Sequence, residues 1–112
     1  MDYILIPSYE PNQKLIVLIE QLQNMRADCR ILVVNDGSGS DYDSFFSQAE
    51  SLGVTLLKHE QNRGKGAALK TGFEYLLHQP ELGAVVCADS DGQHKPKDIF
   101  LCLDTAHQHP QS

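Results

Sequence analysis

The stretch VVCADSDGQH, residues 85–94, decides the fold because an apolar run in it ends abruptly in two carboxylates. Such a short continuous apolar run is typical of a strand that is buried on both faces of a sheet. Asp89 and Asp91 are two positions apart, so on an extended chain their side chains leave the backbone on the same side. Neighbouring carboxylates repel each other unless a positive charge separates them, and a divalent cation carrying phosphate oxygens is the simplest such charge. The stretch therefore predicts a metal and phosphate site at a strand end.

Two other interpretations apply to the same residues. Asp and Gly are favoured where a strand reverses, so Asp89, Asp91 and Gly92 also fit a simple turn. An EF-hand calcium loop is excluded, because its sixth position would be His94 instead of Gly and its twelfth Phe100 instead of Glu. The choice between turn and metal site depends on the rest of the chain.

Composition limits the class of protein. The 112 residues, 41% of them hydrophobic, suffice for one compact domain with a single core. No apolar run approaches 18 residues, and the start lacks the basic and apolar regions of a signal peptide. Three cysteines without C-x-x-C spacing favour reduced thiols over a disulfide framework or a zinc knuckle. A formal net charge of −6 disfavours nonspecific nucleic-acid binding, so we expect no nucleic-acid partner. From the missing apolar run and signal peptide we expect a cytoplasmic protein.

Apolar strands alternate with amphipathic helices along the chain. The predicted strands are Tyr3–Pro7, Ile31–Val34, Val54–Leu57 and Ala84–Ala88. The predicted helices are an amphipathic stretch after Asn12, then Tyr42–Leu52, Ala67–His78 and a last one from Pro96 to Leu103. This βαβαβαβα order predicts an α/β fold in three layers, with a mostly parallel sheet and helices on both of its faces.

The carboxyl ends of parallel strands share one edge of the sheet, where ligands of such folds bind. Four polar segments follow the predicted strands: residues 7–10, 35–40, 59–65 and 89–94. Since each segment is a weak signal alone and all four converge, a binding site at this edge is favoured over a set of unrelated turns.

Two residues in these segments have both a functional and a structural interpretation. Asp36 is placed to accept hydrogen bonds from a base or a ribose, or else to cap the turn that follows it. Lys65 lies at a helix start, where the helix dipole disfavours a cation unless an anion is bound nearby; it also fits a solvated surface lysine. The loop around Lys65 matches neither a Walker P-loop nor a dinucleotide-binding fingerprint.

Four motifs together resemble family 2 glycosyltransferases of the GT-A fold. They are IPSYEP at residues 6–11, VVNDGS at 33–38, NRGKGAAL at 62–69 and ADSDGQH at 88–94. Their order and spacing match along nearly the whole chain. The resemblance is strongest to the branch of dolichyl-phosphate mannosyltransferase and similar bacterial enzymes, which transfer a sugar from a nucleotide diphosphate donor.

The resemblance implies roles for particular residues. Pro7, Tyr9 and Glu10 would line a nucleoside pocket, Asp36 would contact the base, and Lys65 would lie near the base or the ribose. Asp89 and Asp91 would form a DxD pair that holds Mg²⁺ or Mn²⁺ together with the ribose and diphosphate of a UDP- or GDP-sugar. Apart from the resemblance, the position of His94 near that pair makes it a candidate metal ligand or diphosphate contact, and it also fits a partly exposed loop histidine.

The resemblance also implies inverting transfer of a hexose by a single displacement, with a carboxylate base from a later segment of the fold. No segment of the chain corresponds to it, so residues 1–112 are expected to be the donor-binding part of a truncated glycosyltransferase domain, with little activity alone. No catalytic residue is identified. The sequence leaves the acceptor open among a polyprenyl phosphate, a lipid and a glycan. The full protein is expected in the cytoplasm or at the cytoplasmic face of a membrane.

Two other functions stay open. A non-catalytic nucleotide-binding or interaction module would retain the fold without transfer. A phosphotransfer receiver or phosphatase-like domain would use Asp89 as a nucleophile, but it leaves Asp36 and the Asn62 loop unexplained. A truncated parallel sheet also leaves an open edge, which predicts self-association with a second copy.

Overall fold

The structure is a computed structural model that describes residues 1–80 and 82–89. The predicted last helix from Pro96 to Leu103 and the candidate residues Asp91 and His94 lie outside the described residues. The other predicted elements and candidate residues can be placed.

One sheet of four strands organises the described chain. The strands are β1 (Tyr3–Ser8), β2 (Arg30–Asp36), β3 (Thr55–His59) and β4 (Val85–Cys87), in the order β3-β2-β1-β4. All three neighbouring pairs are parallel. Every strand therefore ends at the same edge of the sheet, as the alternating pattern predicts.

Three helices connect the strands: α1 (Gln13–Met25), α2 (Asp43–Ser51) and α3 (Lys65–Leu77), with a 3-10 turn at Ser40–Tyr42 before α2. Asn12 starts α1, because its side chain accepts a hydrogen bond from the backbone N–H of Lys14 at 2.9 Å. After α2, Gly53 adopts a φ of +92°, a conformation that ends helices and that glycine tolerates.

The core has one cluster on each face of the sheet. Alternate residues of β1 divide between them, since Ile4 and Ile6 join one cluster and Tyr3 and Leu5 the other. The first cluster contains the buried residues of α1 and α2, and the second contains Ala68 and Leu76 of α3. The predicted three-layer α/β fold is confirmed.

The observed boundaries differ from the predicted ones where polar residues occupy regular structure. The predicted third strand, Val54–Leu57, is observed at Thr55–His59, and β2 continues to Asp36. Both extensions arise because the β2–β3 ladder still pairs Asn35 with Lys58 and Asp36 with His59. The polar residues at the ends of β2 and β3 therefore remain in the ladder, and Asn35, Asp36 and His59 are buried there.

The helix boundaries also shift by one or two residues, and α3 begins at Lys65 instead of Ala67. Within residues 1–80 and 82–89, no helix has the length and apolar character needed to cross a membrane.

Candidate functional site

The carboxylate of Asp36 is the centre of the polar edge. Asp36 is the last residue of β2, and its side chain is only 4% exposed. Oδ1 accepts hydrogen bonds from His59 Nδ1 at 2.8 Å and from the backbone N–H of Arg63 at 2.9 Å. Oδ2 accepts from Asn62 Nδ2 at 3.1 Å and from the N–H of Gly64 at 2.9 Å. These bonds use the roughly four acceptor sites that a carboxylate offers.

The hydrogen bonds also set the charge state of Asp36. Burial by itself raises the pKa of a carboxyl, because it disfavours the ionised form. Here the hydrogen bond from His59 and the two backbone N–H groups outweigh burial and hold the pKa of Asp36 below its usual value. A stable negative charge thus lies at the end of β2.

Two glycines let the neighbouring connections approach Asp36. Gly37 has a φ of +72°, and a Cβ added to it would lie 2.1 Å from the carbonyl carbon of Gln61 and 2.2 Å from the nitrogen of Asn62. Gly64, which donates to Asp36, has a φ of +97°. The connection from β2 to α2 therefore packs directly on the connection from β3 to α3, and no larger residue fits at position 37.

The connection from β1 to α1 is tied to the same region through Glu10. Glu10 has a φ of +47°, an uncommon conformation for a residue other than glycine. Its backbone N–H donates to Ser38 Oγ at 2.8 Å, and its carboxylate accepts from the Tyr42 hydroxyl at 3.1 Å. Asn35 in turn fixes Ser38, because Asn35 Oδ1 accepts from the Ser38 N–H at 3.0 Å. These contacts hold a strained backbone conformation in place.

Pro7 and Tyr9 precede Glu10 in the chain, Pro7 within β1 and Tyr9 in the connection from β1 to α1. Pro7 is near the end of β1, two positions past the last β1–β4 pair, Leu5 with Cys87. Tyr9 is 50% exposed, so its ring is available to a ligand. Glu10 raises the pKa of the Tyr9 and Tyr42 phenols. The larger cause is a hydrogen bond to the Glu10 side chain, and the second is its negative charge. Both rings therefore stay protonated at neutral pH.

Lys65 and Asp89 form an ion pair across the edge. Lys65 starts α3 and Asp89 follows β4, and Nζ lies 2.8 Å from Oδ1. The side chains are 63% and 28% exposed, so solvent reaches both groups. An ion pair this exposed adds little stability, so both residues can exchange partners at small cost.

One carboxylate of the described residues, that of Asp89, is of a type that a hard divalent cation binds. Asp89 supplies a carboxylate at the edge, and Mg²⁺ commonly uses one or two carboxylates together with substrate phosphates and water. Among the residues that the structure describes, no group of three or more His, Cys, Asp or Glu side chains could hold a metal ion. A cation at Asp89 would compete with Lys65 for Oδ1.

The structure thus brings Pro7, Tyr9, Glu10, Asp36, Lys65 and Asp89 to one edge of the sheet. Sequence reasoning missed Ser38, Tyr42 and His59 as individual site residues. Their type gives little signal, because a serine, a tyrosine and a histidine at strand or loop ends are common in any fold. His59 follows Leu56, Leu57 and Lys58 at the end of β3, and its place at the start of the predicted polar segment 59–65 was the available indication.

Solved structures share this fold. A mannosyltransferase from Pyrobaculum calidifontis, PcManGT, in complex with GDP-Man and Mn²⁺, is similar with a TM-score of 0.61 and 25% identity. The match covers 80% of this chain and 27% of that one.

Curated relatives are similar in sequence. A UDP-N-acetylglucosamine–dolichyl-phosphate N-acetylglucosaminyltransferase from Methanococcus voltae is 34% identical over 87% of this chain and 43% of its own length. A polyprenol monophosphomannose synthase from Mycolicibacterium smegmatis is 27% identical over 90% of this chain and 39% of its own. The chain thus spans about two fifths of the length of these relatives.

The sequence profile described as "Glycosyl transferase family 2" matches residues 3–112. That range contains every motif on which the resemblance depends, and the parallel sheet agrees with the fold of the solved neighbour. The chain therefore belongs to glycosyl transferase family 2.

Proposed function

We propose that the chain binds a nucleotide-diphosphate sugar at the carboxyl edge of its sheet and serves metal-assisted, inverting transfer of the sugar. The observation that carries this proposal is the arrangement of an exposed tyrosine, a buried anion and an exposed Lys–Asp pair along one edge. An aromatic face suits a base, and a cation and a carboxylate suit a diphosphate with its metal.

The nucleoside would lie against Pro7, Tyr9 and Glu10. The contacts from Ser38 and Tyr42 keep Glu10 in its strained conformation, which supports a preformed pocket wall. A direct contact between Asp36 and the base stays a prediction. Since both Asp36 oxygens already accept two hydrogen bonds each, a base would have to share one of these acceptor sites.

The diphosphate end would lie near Lys65 and Asp89. Asp89 and Asp91 would hold Mg²⁺ or Mn²⁺, and Lys65 would move from Asp89 to an anionic group of the donor. When bound, a divalent cation supplies charge neutralisation for the departing nucleoside diphosphate. The P. calidifontis mannosyltransferase is in complex with GDP-Man and Mn²⁺, which supports this assignment.

For the acceptor we propose a polyprenyl phosphate, used at the cytoplasmic face of a membrane. Two relatives carry dolichyl-phosphate or polyprenol in their names, which supports this class. Low transfer activity of these 112 residues alone and self-association through the sheet edge remain predictions.

Calorimetric titration with UDP and with GDP, each with and without Mn²⁺, tests the donor site. We expect one nucleotide to bind only with the metal, and Asp89→Asn to weaken that binding by at least about tenfold. Asp28→Asn is the matched control, because Asp28 pairs with Arg26 just before β2, at the opposite edge of the sheet.

Failure of a folded protein to bind either nucleotide with Mn²⁺ would refute the proposal. Equal binding by the wild-type protein and Asp89→Asn would refute the role of Asp89. Binding without transfer to any acceptor, in a protein extended to the length of its relatives, would favour the non-catalytic nucleotide-binding module.

A further inference from the structure

His59 forms a buried polar bridge between the sheet and α3. Its side chain is 5% exposed, Nδ1 bonds Asp36 Oδ1 at 2.8 Å, and Nε2 bonds Thr71 Oγ1 at 2.7 Å. An ionised carboxylate only accepts hydrogen bonds, so Nδ1 carries the hydrogen. With a partner at each nitrogen, the ring has one favoured orientation, and it presents its N–H to Asp36.

Asp36, oriented by His59, in turn binds the segment that precedes α3. The carboxylate accepts from the backbone N–H groups of Arg63 and Gly64 and from the side chain of Asn62. These residues directly precede Lys65, the first residue of α3. The position of the Asp36 oxygens therefore fixes where α3 starts and where the Lys65 side chain departs toward Asp89.

We propose that His59 is a positioning residue of the candidate site: its imidazole orients the Asp36 carboxylate, which holds residues 62–64 and Lys65 ready for the nucleotide. The part that concerns the nucleotide rests on the proposed function. The part that concerns the segment holds for the ligand-free chain. A buried pair that only stabilised the fold would have no specific effect on this segment.

Three variants separate the contacts of the ring. His59→Phe keeps a ring and removes both hydrogen bonds. His59→Asn places an amide nitrogen as many bonds from Cβ as Nδ1, so it keeps a donor for Asp36 and loses the contact with Thr71. Thr71→Val removes only the far contact with little change of shape, and it carries the test if His59→Phe does not fold.

Amide hydrogen exchange, measured by NMR on the ligand-free 112-residue chain, reports the segment directly. We expect the Arg63 and Gly64 amides to exchange about tenfold faster in His59→Phe, relative to the β1 core amide of Leu5, since a hydrogen bond to a charged group is lost. His59→Asn should restore slow exchange, and Thr71→Val should show a smaller increase than His59→Phe.

Nucleotide titration of the same variants provides the functional readout. Affinity for the nucleotide that the wild-type chain binds should fall about tenfold in His59→Phe and recover in His59→Asn, even where the melting temperature does not recover.

Unchanged exchange of Arg63 and Gly64 in His59→Phe, or a uniform increase at all amides including Leu5, would overturn the inference. If His59→Phe does not fold, unchanged exchange in Thr71→Val has the same meaning. Absence of nucleotide binding in the wild-type chain would overturn the proposed function alone, because the exchange pattern still decides what His59 does.

Discussion

A single carboxylate, Asp36, links the fold to the candidate site. It is nearly fully buried, yet its charge is retained because four hydrogen bonds compensate for the lost water. Removing one donor would leave a buried charge less well satisfied, and that costs more than the lost bond contributed. The residue is therefore sensitive to changes in any of its partners.

The lowered pKa of Asp36 predicts how stability depends on pH. The unfolded chain takes up its proton near the usual pKa of about 3.9, and the folded chain only at lower pH. The contribution of Asp36 is therefore complete above about pH 5 and is lost as pH falls through the unfolded-state and then the folded-state value. Urea unfolding from pH 7 to pH 3 should show this decrease in the free energy of unfolding, and Asp36→Asn should lack it.

Asp28→Asn provides the comparison for this measurement. The pKa of Asp28 is also lowered, by a hydrogen bond from Arg26, but its side chain is 72% exposed. Since solvent screens such a pair, the variant should retain most of the acid dependence of the wild-type chain. An identical pH profile for Asp36→Asn and wild type would contradict the predicted role of the buried carboxylate.

At this scale the sequence indicates where a polar residue lies better than what it contacts. Asp36 follows an apolar strand, so its location at the sheet edge was predictable. Its partners come from a segment more than 20 residues away, and either a ligand or the protein itself could supply its donors. Only the packing of β3 and α3 against β2 decides that the protein supplies them.

Two connections of the fold lie in close contact at Gly37. Gly37, between β2 and α2, lies against the Gln61–Asn62 peptide between β3 and α3. Backbone on both sides cannot move aside as a flexible side chain can. This contact sets how close the two connections lie at the polar edge.

Gly37→Ala tests this contact between elements. The added Cβ would clash with the backbone of residues 61 and 62, and φ at position 37 would be strained, so we expect a loss of about 1–3 kcal/mol in the free energy of unfolding. Gly39→Ala is the control, two residues along the same connection. A Cβ added there has no atom within 4 Å, and the φ of Gly39 is −66°, which alanine adopts without strain. Urea unfolding should distinguish the two; equal losses would show that the close approach does not matter.

Element type was predictable from periodicity, whereas element ends were not. Apolar spacing and Asn12 indicated α1, and the short apolar runs indicated the strands. The ends of β2 and β3 were misplaced because hydrophobicity reports burial, and a parallel ladder continues as long as backbone partners exist. Asn35, Asp36 and His59 are buried polar residues in such a ladder.

The whole described chain has two core clusters that share the same strands. Ile19 of α1 belongs to one cluster and Leu76 of α3 to the other, and each cluster also contains residues of β1 and β2. Loss of either cluster therefore exposes one face of the same strands. Such a domain should unfold as one cooperative unit.

Ile19→Ala and Leu76→Ala test this cooperativity. Each side chain is at most 1% exposed, so each change should lower the free energy of unfolding by about 2–5 kcal/mol. In both variants, unfolding followed by far-UV circular dichroism and by the exchange of amides in α1 and in α3, which lie on opposite faces of the sheet, should give one coincident transition. Separate transitions for the two faces would contradict a single cooperative unit.

The pairing of β1 with β4 also has a consequence during synthesis. Asp2 accepts a hydrogen bond from the backbone N–H of Ala84, 82 residues later. Ribosomes add about 5–20 residues per second, so β1, β2 and the residues of the polar edge that precede β4 are synthesised seconds before β4 emerges. Asp89 emerges after them, so a nascent chain acquires the carboxylate for which we propose cation binding only when β4 can pair with β1.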